Sequence, residues 1–231
     1  MNPSPPVEWT VDRLRERLVA ATFTVSDLDS IVALLAEALV GLGYAPGRIN
    51  LAVLTLHPLL SGIGFAWTRA GGVTRDERPW GFLDSAEHLG SPLHAVMTQK
   101  VPLRLRLHAG EGPDRFAILQ RFVLAGATDY VALPIRAARG DIHVLTLWTD
   151  RTGGWTDDEV AALQTVSPLL AVAVDLFEGR RLAHALTHSH EALEARVRER
   201  TADLEAKNQS LAEALETLQR TQEQMIQAEK M

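Results

Sequence analysis

A chain of 231 residues has room for one ordinary domain and something more. Its 46% apolar and 23% charged residues are those of a globular protein, and a formal net charge of −6 excludes a general nucleic-acid surface, which needs clustered Lys and Arg. No cysteine is present, which excludes disulfides, thiolate chemistry, Cys-based zinc sites and a chromophore held through a thioether.

The first residues, MNPSPPVEWT, are Pro-rich and contain an acid, and no apolar run follows a basic start. Residues 1–24 therefore read as an arm and the start of a first helix, not as a signal peptide. The longest apolar stretches look too short and too interrupted to cross a bilayer, so the expectation is a cytoplasmic chain without membrane insertion.

From residue 25 to 177 helical and strand patterns alternate. Ser26 is the expected N-cap of a helix in which Leu28, Ile31, Val32, Leu35, Leu39 and Leu42 keep helical spacing, closed by Gly43. Ile49 to Leu56 is apolar on both faces, as a central strand is. Ile63, Phe65 and Trp67 share one face of a second strand. Ser91-Pro92 starts a helix, with Pro at the first helical position. Leu103, Leu105 and Leu107 alternate with Arg104, Arg106 and His108, which predicts a half-buried strand with the arginines on its solvated face. Asp114 to Leu124 reads as a short helix closed by Gly126. Tyr130–Ile135 and Ile142–Trp148 are two more strands, turned at Arg139-Gly140-Asp141. Thr156-Asp157-Asp158-Glu159 is a capping box opening the next helix. The order implies an α+β fold, an antiparallel sheet with flanking helices.

Beyond Phe177 no aromatic and no Pro occurs, and Gly179 is the last Gly. Such a segment builds no globule but can build one helix, about 75 Å long from Arg180 onward at 1.5 Å per residue. Residues 178–231 are thus expected to form a long helix. Leu204, Leu211, Leu218 and Met225 recur every seventh residue, with Val197 in phase ahead of them. With these at d, the a positions are Thr201, Asn208, Leu215 and Gln222. The opposite phase would put Arg200 and Lys207 at d. Val197, Leu204, Asn208, Leu211, Leu215, Leu218 and Met225 accordingly form the seam of a parallel dimeric coiled coil, in which a buried Asn fixes register and Arg200 at g reaches Glu205 of the partner at e. Leu186 and Leu193 fall at g, so the seam shifts between Leu193 and Val197.

The pattern of residues 25–177 resembles a GAF domain. Gly126-Ala127-Thr128-Asp129-Tyr130-Val131-Ala132-Leu133-Pro134, with Leu145 to Arg151 and Gly153-Gly154-Trp155, is similar to the sensor region that precedes the catalytic domain in some bacterial adenylate/guanylate cyclases. Leu193 to Asn208 (LEARVRERTADLEAKN) and Thr221 to Met231 (TQEQMIQAEKM) resemble the signalling helix upstream of bacterial sensor histidine kinases. In that family the helix runs on into the segment carrying the phosphoacceptor His. The resemblance implies an input module of a two-component signalling protein, cut off from its output domain. No residue here takes the phosphoacceptor's role.

No catalytic motif is present. Gly41-Leu42-Gly43-Tyr44-Ala45-Pro46-Gly47 misses the dinucleotide fingerprint in spacing and follows a helix, and no Walker A loop, Gly-x-Ser-x-Gly elbow or His-Glu-x-x-His occurs. His184 and His188, four apart on a helix, share a face but lack a third metal ligand. His57, His94 and His108 lie where a sensor pocket would be. The candidate ligand-binding residues are Trp67, Trp80, Phe82 and Met97, lining a cavity between the sheet and residues 73–99. The competing reading is that they complete the core. Arg104 and Arg106 are candidates to attract an anion. No cofactor is identified. The expected function is non-catalytic sensory input and homodimerisation, passing a ligand- or partner-dependent change along the coil. The alternatives are a regulatory fragment of a nucleotide cyclase and a ligand-free dimerisation module.

Overall fold

The computed structural model describes residues 9–24, 27–55 and 59–229. Two antiparallel runs build one six-stranded sheet. The first is β1 (Pro46–Leu54), β2 (Leu60–Thr68) and β3 (Gly72–Pro79). The second is β4 (Leu103–Leu105), β5 (Asp129–Arg136) and β6 (Ile142–Thr149). β1 pairs with β6, with Leu51 opposite Leu145, and joins the halves in the order β3-β2-β1-β6-β5-β4. Both outer strands suit their place: β3 is charged along its length and β4 is three residues long, which blunts the sheet edges.

Side-chain alternation gives the sheet two unlike faces. Ile49, Leu51 and Val53 of β1, Ile63 and Phe65 of β2, Val131, Leu133 and Ile135 of β5, and Leu145 and Leu147 of β6 all point to one side. Helices α1 (Val11–Thr24), α2 (Leu28–Gly41), α6 (Asp157–Gln164) and the start of α7 (Ser167–Glu229) cover that side with an apolar stripe. The opposite face meets the short helices α3 (Ala86–Leu89), α4 (Pro92–Gln99) and α5 (Ile118–Leu124) around a second, smaller core.

The α+β antiparallel architecture and the flanking helices follow the sequence pattern, and several local signals hold in detail. Ser91 caps α4 with Pro92 in its first turn, and Thr156 and Glu159 form the reciprocal capping box of α6. Other expectations need correction. The N-cap of α2 is Asp27, whose carboxylate accepts from the Ser30 N–H; Ser26 lies outside the described residues. The residues read as an arm and the start of a helix include a complete one, α1, with Leu14 and Leu18 buried. β3 escapes periodicity because both its faces are polar. The strand expected through Leu107 ends at Leu105, since Leu107–Ala109 curl into a 3₁₀ turn closed by Gly110 at φ 82°. The helix opened by Thr156 breaks after Gln164, and α7 begins at Ser167.

The chain divides into two compact units between Gly179 and Arg180. In the first, Leu170, Val174 and Phe177 of α7 are buried in the helix-side core. In the second, every described side chain from Leu182 on is exposed, with Leu204, Leu211 and Leu218 at 59%, 60% and 66%. Pairs such as Asp203–Lys207, at 2.8 Å, decorate it at helical spacing. Contrary to the expectation that no stretch suffices, the α6–α7 segment is long and apolar enough to cross a membrane by length and composition. The near continuity of the two helices supplies the length, and 44% of the apolar window is buried within the protein.

Candidate functional site

The face of the sheet turned away from the long helices holds a cavity of about 300 Å³, within the range of small-molecule pockets. Strand periodicity makes its floor. Arg48, Asn50 and Ala52 alternate with the buried Ile49, Leu51 and Val53, so β1 sends its polar side chains into the cavity. On β2 the matching positions are Gly62 and Gly64, which leave the floor bare. Tyr130 of β5 and Thr146 and Trp148 of β6 complete it. Phe82, His88, Leu93, Met97 and Phe122 form the opposite wall, held by the serine caps of α3 and α4.

Of the residues expected to bind a ligand, Phe82 and Met97 line this cavity. Trp67 does not: as the alternation of Ile63, Phe65 and Trp67 dictates, it packs against the helix-side core. Trp80 is 64% exposed and lies outside the wall. Arg104 is neither solvated nor turned to a ligand. It donates to both carboxylate oxygens of the fully buried Asp129, from Nη2 at 2.7 Å, and to the Trp155 carbonyl, while Asp129 also accepts the Trp155 N–H at 3.0 Å. This knot ties β4 and β5 to the start of α6. Arg106 joins it through Asp157 at 3.1 Å.

The cavity residues that periodicity left unnoticed are Arg48, Tyr130, Trp148 and His88. One signal was legible: Arg48 and Asn50 put polar groups at every second position of a strand whose remaining residues are apolar. Arg48 Nε and Trp148 Nε1 are enclosed with no hydrogen-bond partner among the described residues. Burial lowers the Arg48 pKa, the Arg78 and Arg121 charges lower it further, and Tyr130 and Asp76 act the other way. Burial raises the Tyr130 phenol, so it stays a hydroxyl. His88 is 4% exposed, and burial followed by the neighbouring His94, 5.2 Å away between ring centroids, pushes its pKa down; it is neutral at pH 7.

The remaining histidines hold no metal site: among the described residues no group of three or more His, Cys, Asp or Glu side chains is placed to bind an ion. His184 and His188 do meet, with ring centroids 4.5 Å apart. His108 contacts the Thr128 carbonyl through Nδ1 at 2.9 Å, and His57 lies outside the described residues. Of the serine hydroxyls in the lining, Ser61 donates to the Pro79 carbonyl at 2.9 Å and Ser91 to the His88 carbonyl at 2.6 Å.

No protein-family model matches the chain, and no curated protein matches it. Solved structures do. One is the phycocyanobilin-bound GAF domain of a cyanobacterial phytochrome, with a TM-score of 0.53 and 17% identity over 75% of this chain and 98% of that one. Another is the phycoerythrobilin-bound GAF domain of a cyanobacterial phytochrome, with a TM-score of 0.52 and 16% identity over 76% of this chain and 100% of that one. The globular unit has a GAF-like fold: a six-stranded antiparallel sheet with helices on both faces, extended by one long C-terminal helix.

Proposed function

We propose that this chain is the sensory input and dimerisation module of a signalling protein, of the kind that precedes a sensor histidine kinase, with no catalysis of its own. A small molecule occupies the cavity noncovalently. The helix from Arg180 onward pairs with its copy as a parallel coiled coil in the cytoplasm and carries the change to an output domain.

The observation that carries this reading is the cavity's place in the sheet. Its floor is one face of β1 and β2, and the other face of the same strands holds the root of α7, where Phe177 packs on Phe65. Filling the cavity therefore acts on strands that seat the long helix. The exposed leucine seam supports dimerisation, since a stripe two residues wide per heptad is what a coiled coil buries. The two similar phytochrome domains carry bilins. A chain without cysteine cannot hold a ligand through a thioether.

A thermal-shift screen of the full chain against a small-molecule collection, repeated on Ala52→Phe, tests the proposal. At least one compound is expected to raise the melting temperature of the native protein and not that of the filled variant. Leu211→Glu/Leu218→Glu should convert a dimer to monomers in sedimentation. A dimer that binds nothing, and whose stability Ala52→Phe leaves unchanged, is a structural module instead. Turnover of ATP or GTP to a cyclic nucleotide would place the chain with the cyclases.

A further inference from the structure

Several of the domain's arginines are paired with acids, whereas Arg48 is enclosed without such a partner among the described residues. Arg104 is paired with Asp129, Arg69 with Asp150 at 2.9 Å, and Arg151 with Glu159. Arg48 has no ion pair or hydrogen bond among the described residues, although it lies in the cavity floor with its Nε enclosed. Its contact with the Phe122 ring, at 6.0 Å, supplies no acceptor. A guanidinium does not escape this cost by losing its proton.

Arg48 is not alone. It stands directly opposite Trp148 in the β1–β6 ladder, and Trp148 stands opposite Tyr130 in the β5–β6 ladder. Cross-strand partners carry side chains on the same face with Cβ atoms about 5 Å apart. The two residues whose enclosed donors lack partners among the described residues, Arg48 (Nε–H) and Trp148 (Nε1–H), are therefore cross-strand neighbours that both line the cavity. Gly47 fixes the indole: a Cβ there would fall 1.9 Å from Trp148 Cζ3, so the ring occupies the space above that glycine. Arg121 and Arg78 add positive charge to the lining, Arg78 being neutralised by Asp76, and Glu87 is the acid among the lining residues. A cationic pocket in a chain of net charge −6 is a local arrangement, not a property of the whole surface.

We infer that the cavity binds a small organic acid, with its carboxylate held between Arg48 and Trp148 and its apolar body against Phe82, Leu93, Met97 and Ile118. A carboxylate presents two oxygens, one for each donor, and matches the planar fork of Arg. The apolar wall excludes a bare inorganic anion as the fitting ligand, because it would leave that wall facing water. This assignment rests on the sensory reading of the same cavity.

The experiment titrates the full chain with phenylacetate, with its neutral analogue phenylacetamide and with inorganic phosphate, following the Trp148 indole N–H in ¹H–¹⁵N spectra. Phenylacetate should shift that signal saturably and bind at least about tenfold more tightly than phenylacetamide, as expected when a charge-assisted hydrogen bond is lost. Arg48→Met should abolish the difference, with Arg121→Gln, an exposed lining position, weakening phenylacetate in a chain that keeps its fold. Equal affinity for acid and amide would overturn the carboxylate assignment and leave the sensory reading standing. Preference for phosphate would overturn it in favour of an inorganic anion. If none of the three probes moves the Trp148 signal and Arg48→Met melts higher than the native protein, water satisfies the donors and both readings fall.

Discussion

The ring of Phe65 on β2 meets the ring of Phe177 on α7 edge to face, with centroids 5.9 Å apart and planes at 89°. Gly64, the residue before Phe65, points the other way into the cavity. Two polar contacts flank the aromatic pair: Thr55 Oγ1, just past β1, donates to Glu178 at 3.2 Å, and Asp175 accepts the Ala138 N–H in the β5–β6 turn at 3.0 Å. The last domain-bound turns of α7 are thus fastened to β1, β2 and the distal hairpin together.

Truncating this joint should be costly to the domain. Phe177→Ala is expected to destabilise it by about 3–5 kcal/mol, as loss of a buried aromatic does, and Phe177→Leu by less. Urea unfolding followed by tryptophan fluorescence measures the difference. A loss under about 1 kcal/mol would mean that α7 is not seated through this ring.

Asp129 carries the second structural prediction. It is 0% exposed and accepts from Arg104 and from the Trp155 backbone, and Gly154 at φ 73° approaches so closely that a Cβ would lie 2.6 Å from its Oδ2. Asp129→Ala removes the buried carboxylate of the Arg104 pair and leaves the Trp155 N–H without its acceptor, and should cost about 3–5 kcal/mol in the same assay. Gly154→Ala should also destabilise, through both the contact and the left-handed backbone.

Stability should fall with acid in two separate windows. His143 is buried and neutral, and its Nδ1 accepts the Leu54 N–H at 3.0 Å. Burial depresses its pKa, with Arg139 in the same direction and Asp141 and Asp175 opposed; His88 is depressed as well, by burial, then by His94, against Asp84. The unfolded chain therefore binds more protons below the ordinary histidine pKa of about 6.5, and stability drops as pH falls through that value. His143→Gln should flatten the slope of unfolding free energy between pH 7 and 5. Glu159 is lowered to about 2 by its hydrogen bond with Arg151. Its contribution is complete above the ordinary glutamate value and is lost on descending towards pH 2, so Glu159→Gln should remove pH dependence only in that lower window.

Much of the fold was legible because strand alternation and cap chemistry are local. Ile49, Leu51 and Val53, the Ser91-Pro92 start and the Thr156–Glu159 box each announce their own element. The cavity was legible in part. Phe82 and Met97 came from the right segment, but Trp67 was assigned to a ligand although its own period with Ile63 and Phe65 places it on the other face. Arg48 and Trp148 become neighbours only through the β1–β6 pairing, a contact between residues 100 apart in sequence that no local pattern encodes. Arg104 was misread for the same reason, since its partner Asp129 lies on the adjacent strand.

Asn208 should set register in the helix from Arg180 onward at the expense of stability. It falls between Leu204 and Leu211 at a position that faces its symmetry mate in a parallel dimer. Asn208→Leu is expected to raise the melting temperature of the coil and to loosen its oligomeric specificity, read by circular dichroism and sedimentation equilibrium. If neither changes, Asn208 faces solvent and the leucines occupy a positions.

The central claim, an input domain whose cavity acts on a parallel coil, is tested most directly by spin-label distances. Because the chain has no native cysteine, Glu199→Cys and Glu213→Cys place single labels on the outer face of the helix. Each labelled 231-residue chain is measured alone and with Ala52→Phe filling the cavity. The account predicts a short intersubunit distance at both positions, as a parallel, in-register pair requires, and a shift of the distribution when the cavity is filled. A monomer, an antiparallel pair with clearly unequal distances at the two positions, or distributions that Ala52→Phe leaves unmoved would contradict it.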